Sequence, residues 1–461
     1  MKTLIQFPPN FFWGAATSSH QIEGSPALEG LGESVWEMFC RRSGKVQDGS
    51  NALIACDHVN RYPEDVALMK QIGLQAYRFS VAWPRVLPGG TGQVSSKGLG
   101  FYDRLVDELL GAGIAPWVTL YHWDLPVELY YRGGWLNRDS ADWFADYTCA
   151  VVDRLSDRVQ NWFTLNEPQV FIWLAMREGV HAPGDKLGWN EVIRAGHHAM
   201  LAHGKAVQTI RAYAKKPPKV GYAPVGITYR PATDSAADLE ATKRAFFGMG
   251  HRTLWCNAWW MDPVFNGHYP EDGLKIFHPF APPIQNGDLE TIHQPLDFFG
   301  ANIYHAQTIR SGPDGRPEVV PSPQGTARTL MGWDVVPEAL YYGPKLFYDR
   351  YKLPVVVTEN GMSNTDTLSA DGRVHDDARI EFTRAYLEQY ARAAQDGADL
   401  AGYFHWSLMD NFEWDRGYTQ RFGLIHVDYQ TQKRTLKESA HWYGRLIATH
   451  GRSLNPPVEV G

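Results

Sequence analysis

The chain has 461 residues, of which 44% are hydrophobic and 21% are charged, and these proportions exclude an intrinsically disordered protein. Its 44 Lys and Arg residues against 51 Asp and Glu residues give a net charge of −7, so a nucleic-acid partner is not expected. Because no run of about 20 apolar residues occurs, a membrane-spanning helix is not expected either.

The cysteines and the first residues indicate where the protein works. Cys40, Cys56, Cys149 and Cys256 form no CxxC pair and have no metal-site spacing, which predicts free, mostly buried thiols. The opening stretch "MKTLIQFPPNFFWG" has one lysine and a short apolar run that prolines interrupt, unlike a secretory signal. We therefore expect a cytoplasmic protein without a metal or other cofactor.

Short apolar runs predict eight β-strands in chain order. The runs cover residues 11–18, 74–81, 114–122, 161–166, 219–228, 296–304, 353–360 and 400–408. Between them lie amphipathic stretches with apolar residues at helical spacing and Gly at the C-terminal end, for example "YPEDVALMKQIG" and "YDRLVDELLGAG". The chain thus alternates strands with helices.

This alternation favours an α/β fold, a single (β/α)8 TIM barrel with elaborated βα loops, as one catalytic domain over residues 1–461. Neither GxGxxG after a predicted strand nor GxxxxGK[ST] occurs, so the usual nucleotide sites are not expected. In such a barrel, functional side chains lie where the strands end and the βα loops begin.

Polar or aromatic residues stand at seven of these eight predicted strand ends. They are Gln21, Arg78, His122, Asn166, Glu167, Asn302, Tyr304, Glu359 and Trp406. Glu167 and Glu359 are carboxylates on strands that lie across the barrel; Pro168 should hold Glu167 extended, and Asn360-Gly361 should form a turn after Glu359. Two carboxylates that face each other across an open pocket are what glycoside hydrolysis requires.

Long motifs around these residues carry a family resemblance. They are "FFWGAATSSHQIEG", "YRFSVAWPR", "VTLYHWDLP", "TLNEP", "VTENG" and "HWSLMDNFEWDRGYTQRFGL", in this order from about residue 10 to residue 445. With them the chain resembles glycoside hydrolase family 1, the β-glucosidase family. The resemblance implies a retaining double displacement in which Glu359 is the nucleophile and Glu167 the general acid/base.

The resemblance also implies roles for the other site residues. Arg78 should favour the ionised form of Glu359, and Tyr304 should orient that nucleophile. Trp406 should form a platform under the sugar, and Trp333 should form a wall of the leaving-group site. The predicted substrate-binding residues are Gln21, His122, Asn166, Asn302, Trp333, Trp406, Glu413 and Trp414.

Substrate choice stays partly open at this point. Glu413 is a carboxylate where relatives that act on 6-phosphorylated sugars have a small hydroxyl residue, which favours a neutral β-glucoside over a 6-phospho-β-glycoside. Glucose is not separated from galactose or fucose, nor a monomer from a homo-oligomer. Gln169 and Leu330 depart from the family pattern and are expected to border the leaving-group region.

Two other classes of protein compete with this interpretation. His197, His198 and His203 crowd one predicted helix, as in a metal-dependent hydrolase, but their spacing does not match HExxH. A sugar-binding protein without catalysis would be expected to have lost one of the two carboxylates. The expected partner is therefore a small β-glycoside substrate, with neither nucleic acid nor membrane.

Overall fold

Eight parallel strands close into a barrel. The structure, a computed structural model, describes residues 4–455; residues 1–3 and 456–461 of the predicted 1–461 domain lie outside the described residues. The hydrogen-bonded order around the barrel is β1-β11-β10-β7-β5-β4-β3-β2. The strands are β1 (Phe12–Ala16), β2 (Ala76–Ser80), β3 (Ala115–Tyr121), β4 (Asn161–Asn166), β5 (Lys219–Ala223), β6 (Thr228–Pro231), β7 (Phe298–Asn302), β8 (Ala306–Ser311), β9 (Pro317–Val320), β10 (Val355–Asn360), β11 (Leu400–Trp406), β12 (Ile425–Val427) and β13 (Arg434–Leu436).

The predicted (β/α)8 barrel is confirmed, and each of the eight predicted strands corresponds to one barrel strand. The prediction for residues 219–228 was too long, because the chain leaves the barrel at Pro224 and begins β6 at Thr228. β6, β8 and β9 form a separate three-stranded sheet, and β12 pairs with β13.

Helices surround the barrel and connect its strands. They are α1 (Ser19–Ile22), α2 (Val35–Cys40), α3 (His58–Ile72), α4 (Trp83–Val86), α5 (Ser96–Gly111), α6 (Val127–Tyr131), α7 (Ser140–Leu155), α8 (Trp189–Tyr213), α9 (Ala236–Phe247), α10 (Ala258–Phe265), α11 (Glu271–Phe277), α12 (Asp288–Ile292), α13 (Ala339–Tyr351), α14 (Asp377–Gln395) and α15 (Glu438–Ala448). A π-helix covers Gln169–Glu178. Among residues 4–455, none of the helices is both long and apolar enough to cross a bilayer.

Local sequence explains where these helices begin and end. The Ser95 side chain accepts a hydrogen bond from the Gly98 amide at 3.1 Å and so caps α5. α3 ends at Gly73, whose φ of +86° is in the left-handed region that glycine adopts readily. The apolar faces of these helices then pack against the outside of the barrel.

Aromatic rings fill the interior of the barrel. Trp117 lies 5.7 Å from Phe163 and 5.5 Å from Phe404, measured between ring centroids. Glycine makes room for these rings, since a Cβ added at Gly14 would lie 2.6 Å from the Phe404 ring. The guanidinium carbon of Arg78 lies 4.9 Å from the centroid of the Phe163 ring. The charged side chain of Arg78 therefore lies directly against these aromatic rings.

Candidate active site

Glu167 follows β4 and is 7% exposed. The sequence predicted an extended backbone here, and this was wrong: φ of Glu167 is +46°, in the left-handed region. Pro168 disfavours the right-handed helical region for the residue before it, but the chain turns at once into the π-helix, and Glu167 makes that turn.

Glu359 lies within β10 and is 4% exposed. The predicted turn at Asn360-Gly361 was also wrong, because Asn360 is the last residue of the strand and its side chain donates to the Ile303 carbonyl at 2.8 Å. Gly361 has a different reason to be glycine: an added Cβ would lie 1.9 Å from the Trp406 carbonyl oxygen.

Arg78 connects the two strands that carry the carboxylates. It is 1% exposed; its Nη1 donates to Oε1 of Glu359 at 2.8 Å, and its Nη2 donates to Oδ1 of Asn166 at 2.6 Å. Its Nε donates to the Thr119 hydroxyl at 3.1 Å. A guanidinium with every nitrogen engaged is fixed in one orientation, so Arg78 holds Glu359 in a defined position.

Tyr304 and Asn302 complete the contacts of the two carboxylates. The Tyr304 hydroxyl donates to Oε2 of Glu359 at 2.7 Å. Asn302 Nδ2 donates to Oε1 of Glu167 at 2.9 Å, and Asn302 Oδ1 accepts from the Thr358 hydroxyl at 2.6 Å, which fixes the direction of the amide. Side chains of Arg78 and Tyr304 thus donate to Glu359, whereas Glu167 receives one such bond.

The two carboxyl groups therefore hold protons differently. Burial and, after it, the negative charge of Glu359 raise the pKa of Glu167 to about 8. Burial also raises the pKa of Glu359, but the charge of Arg78 and the hydrogen bond from Tyr304 lower it. Glu359 consequently ionises at lower pH than Glu167. Between their two pKa values, Glu359 is a carboxylate while Glu167 keeps its proton.

A cavity of about 490 Å³ opens above these residues. Nine of the twelve predicted site residues line it, and they are His122, Glu167, Asn302, Tyr304, Trp333, Glu359, Trp406, Glu413 and Trp414. The other three, Arg78, Asn166 and Gln21, are not among the lining residues and are 1%, 0% and 0% exposed. They contact the lining residues through hydrogen bonds.

His122, Gln21 and Glu413 are hydrogen-bonded within this arrangement. Asn166 Nδ2 donates to Nε2 of His122 at 3.1 Å, and burial lowers the pKa of His122 well below its usual value, so this ring is neutral. Gln21 Nε2 donates to Oε2 of Glu413 at 3.1 Å. Burial and, after it, the charge of Asp415 raise the pKa of Glu413 to about 8.

The three predicted tryptophans, Trp333, Trp406 and Trp414, all line the cavity. His122 stacks at 5.8 Å from both Trp406 and Trp414, with interplanar angles of 23° and 19°. Trp333 is half-buried, and its ring lies 5.1 Å from that of Tyr304. Flat faces bordered by hydrogen-bonding groups suit a sugar ring.

Gln169 and Leu330 adjoin residues that line the cavity but do not line it themselves, so their expected place at the border of the leaving-group region stays a prediction. Gln169 is 0% exposed; its amide donates to the Val225 carbonyl and accepts from the Val225 amide, each at 3.2 Å. It does not line the cavity, and neither does Leu330, which is 43% exposed on the surface.

Several lining residues were not predicted as site residues. They are aromatic or polar side chains of the βα loops and the three-stranded sheet, and include Trp123, His181, Tyr229, Trp255, His305, Gln307 and Asp415. Trp123 could have been found, since it follows His122 directly in "YHWD". Tyr229 also directly follows a predicted strand, residues 219–228, whereas Trp255 and Gln307 lie farther from any predicted strand end.

The histidines on α8 have structural partners. His197 bonds to Asp288 at 2.9 Å and to Tyr269 at 3.0 Å, and His203 bonds to Thr164 at 2.6 Å. Across residues 4–455, no three His, Cys, Asp or Glu side chains are grouped as a metal site would need. These histidines give no support to the metal-hydrolase alternative.

Comparison with known proteins agrees with this geometry. The model of the family described as "Glycosyl hydrolase family 1" matches residues 3–452. The chain belongs to this family. It is 42% identical to "Beta-glucosidase A" of Thermotoga maritima over 447 residues, which cover 97% of this chain and 98% of the relative.

Two further matches extend over the same length. "1,4-beta-D-glucan glucohydrolase" of Thermotoga neapolitana is 42% identical over 450 residues, covering 97% of this chain and 99% of the relative. The solved structure "Beta-glucosidase from Thermotoga maritima in complex with glucoimidazole" superposes with a TM-score of 0.89 at 41% identity, covering 97% of this chain and 100% of that one. The whole family 1 barrel is therefore shared with these proteins.

Proposed function

We propose that this family 1 protein is a retaining β-glucosidase that removes terminal β-D-glucosyl units from oligosaccharides and from aryl or alkyl glucosides. One observation carries the proposal. Glu359, held by Arg78 and Tyr304, lines the same cavity as Glu167, whose pKa burial raises to about 8. A fixed carboxylate and a protonated carboxyl group are the two reagents of a double displacement.

In the first step, Glu359 attacks the anomeric carbon and forms a glycosyl ester. The bond to the leaving-group oxygen breaks, and Glu167 gives its proton to that oxygen, so the alcohol leaves neutral. Arg78 and Tyr304 keep the attacking carboxylate ionised and oriented before the reaction. As the ester forms, the charge of Glu359 disappears.

The second step uses the change in charge that the first step leaves behind. With Glu359 esterified, one contribution that raises the pKa of Glu167 is gone, so its carboxylate form becomes more stable. Glu167 then accepts a proton from water as that water attacks the anomeric carbon. The ester bond breaks, Glu359 leaves as a carboxylate, and the sugar is released with its original β configuration.

The sugar is held by the polar side chains around the carboxylates. Of the residues that the family motifs assign to its hydroxyl groups, His122, Glu413 and Trp414 line the cavity. Gln21 and Asn166, the latter assigned to the 2-hydroxyl, are 0% exposed and hydrogen-bond to the lining residues Glu413 and His122. Trp406 supports the apolar face of the sugar. This follows from the family motifs and is supported by the hydrogen-bonded contacts among these residues. The ring of Trp333 forms a wall toward the leaving group.

A neutral sugar fits this cavity better than a phosphorylated one, although charge repulsion is a weaker reason than the sequence suggested. Because burial raises the pKa of Glu413 to about 8, much of it is protonated at pH 7. The stronger reason is that few cations are present to bind a phosphate group. Among the described residues that line the cavity, Arg416 is the only Lys or Arg. Its Nη1 donates to Gln47 at 3.3 Å, and its Nε lies 3.7 Å from Asp415.

The place of action is part of the same proposal. Cys40, Cys56, Cys149 and Cys256 are all unpaired, which suits a reducing compartment such as the cytoplasm. Fractionation of the source cells tests this, with activity expected in the cytoplasmic fraction and contradicted by activity recovered outside the cell.

The test of the function follows the configuration of the first product. With an aryl β-glucoside, proton NMR of the reaction should show β-glucose first, and α-glucose only as mutarotation proceeds. Glu359→Gln, a near-isosteric change, should release almost no sugar under the same conditions. Initial α-glucose would mean inversion, and full activity of Glu359→Gln would remove the proposed nucleophile.

A further inference from the structure

Trp123 contacts the main chain beside the proposed acid/base. It stands just after β3 with a φ of +77° and is 6% exposed. Its indole Nε1 donates to the carbonyl oxygen of Asn166 at 3.0 Å. This carbonyl belongs to the peptide group that joins Asn166 to Glu167.

The same peptide group is held from its other side. The amide nitrogen of Glu167 donates to the Ala223 carbonyl on β5 at 2.8 Å. The N–H and the C=O of this single peptide are therefore both hydrogen-bonded, to two different strand ends. Together these bonds fix the plane of the peptide and hence the direction in which Glu167 leaves the main chain.

Glu167 needs this restraint because its own backbone is unfavourable. A φ of +46° places Glu167 in the left-handed region, which is strained for any L-residue other than glycine. Its carboxyl group receives one protein hydrogen bond, from Asn302. Because the backbone is strained and the carboxyl group has one side-chain hydrogen bond, the direction of the carboxyl group depends on the peptide before it.

Trp123 is itself braced by aromatic rings. Its ring centroid lies 4.4 Å from that of Trp414 and 4.9 Å from that of His122. Trp36 packs on the same Trp414 ring, at 4.7 Å between centroids, but its indole nitrogen has no hydrogen-bond partner among the described residues. The two tryptophans share an environment and differ in the hydrogen bond.

We propose that Trp123 is a positioning residue for acid catalysis: its indole N–H holds the Asn166–Glu167 peptide so that the Glu167 carboxyl points at the glycosidic oxygen. This inference rests on the proposed acid/base role of Glu167. Its consequence is specific, because only substrates with poor leaving groups need that proton to break the glycosidic bond.

The test measures kcat/KM of Trp123→Phe for aryl β-glucosides whose phenols range from 2,4-dinitrophenol to phenol. With 2,4-dinitrophenol as leaving group, which departs without a proton, the loss should stay within about 3-fold. With phenol it should reach about 10- to 100-fold, a part of what general acid catalysis contributes. The slope of log kcat/KM against phenol pKa should therefore become steeper.

Two matched variants make the result specific. Trp36→Phe makes the same change in the same aromatic cluster without removing a hydrogen bond, so its slope should equal that of the wild type. Glu167→Gln should give the steepest slope. If Trp123→Phe does not fold, as judged by circular dichroism, benzothienylalanine at position 123 keeps the ring shape and removes only the N–H.

The outcomes separate the two proposals. An equal loss for all leaving groups in the Trp123 variant, with a steep slope in Glu167→Gln, overturns the positioning role and leaves the acid/base assignment intact. An unchanged slope in Glu167→Gln overturns the proposed function of Glu167 itself. A steeper slope in both, with Trp36→Phe unchanged, is the expected result.

Discussion

Arg78 and Glu359 form a buried ion pair in which Nη1 of the arginine lies 2.8 Å from Oε1 of the glutamate, with side-chain exposures of 1% and 5%. A buried carboxylate without a cation would be protonated at neutral pH and could not attack. The pair is therefore a condition for the proposed chemistry, and its members come from β2 and β10.

Arg78→Met should lower kcat/KM by about 100-fold or more, because it removes the charge and the hydrogen bond that stabilise ionised Glu359. Arg78→Lys is the control that keeps the charge, and it should lose less activity, although it cannot reach Glu359 and Asn166 together. Steady-state kinetics with an aryl β-glucoside measure both. Equal activity of Arg78→Met and wild type would contradict this role.

The pH dependence of kcat/KM should be bell-shaped. Glu167 must be protonated, so activity should fall as the pH rises through its pKa of about 8. Glu359 must be ionised, so activity should fall as the pH drops through its pKa, which burial raises above its ordinary value of 4.5.

An activated substrate separates the two limbs. With 2,4-dinitrophenyl β-glucoside, Glu167→Gln should lose the alkaline limb of kcat/KM and keep the acid limb, since this leaving group needs no proton. An alkaline limb that persists unchanged in this variant would assign it to another group.

Gln169→Ala should destabilise the protein without changing leaving-group preference. Both hydrogen bonds to the Val225 main chain are lost, and the buried amide and carbonyl left behind cost about 1–3 kcal/mol each. Gln307→Ala is the matched control, since Gln307 is exposed and lines the cavity.

Thermal unfolding and relative kcat/KM for several aryl glucosides measure the two effects. Gln169→Ala should lower Tm and keep the relative rates. Gln307→Ala should keep Tm and change the relative rates. A changed leaving-group preference in Gln169→Ala at wild-type Tm would support the interpretation that the sequence suggested.

The barrel was predictable because its strands are buried on both faces. β10, "VVVTEN", is buried at all six positions and therefore reads as an unbroken apolar run that ends in polar residues. The same change from apolar to polar residues marks the strand ends where Arg78, Glu167 and Glu359 lie. Local sequence thus carries the information that positions the proposed catalytic residues.

What could not be predicted depends on contacts between distant segments. The positive φ of Glu167 follows from the turn into the π-helix and from the bond of its amide to Ala223 on another strand. Gly361 reads as a turn residue but is needed for its approach to Trp406. Likewise, Trp255 reaches the cavity from a loop whose path the sequence does not indicate.

The most direct measurement of the two catalytic roles is the configuration of the azide adduct formed by alanine variants with an activated aryl β-glucoside. In Glu359→Ala, azide should enter the space left by the nucleophile and give α-glucosyl azide. In Glu167→Ala, azide should attack the glycosyl ester on Glu359 from the opposite face and give β-glucosyl azide. The reverse assignment of the two products by NMR would contradict the account.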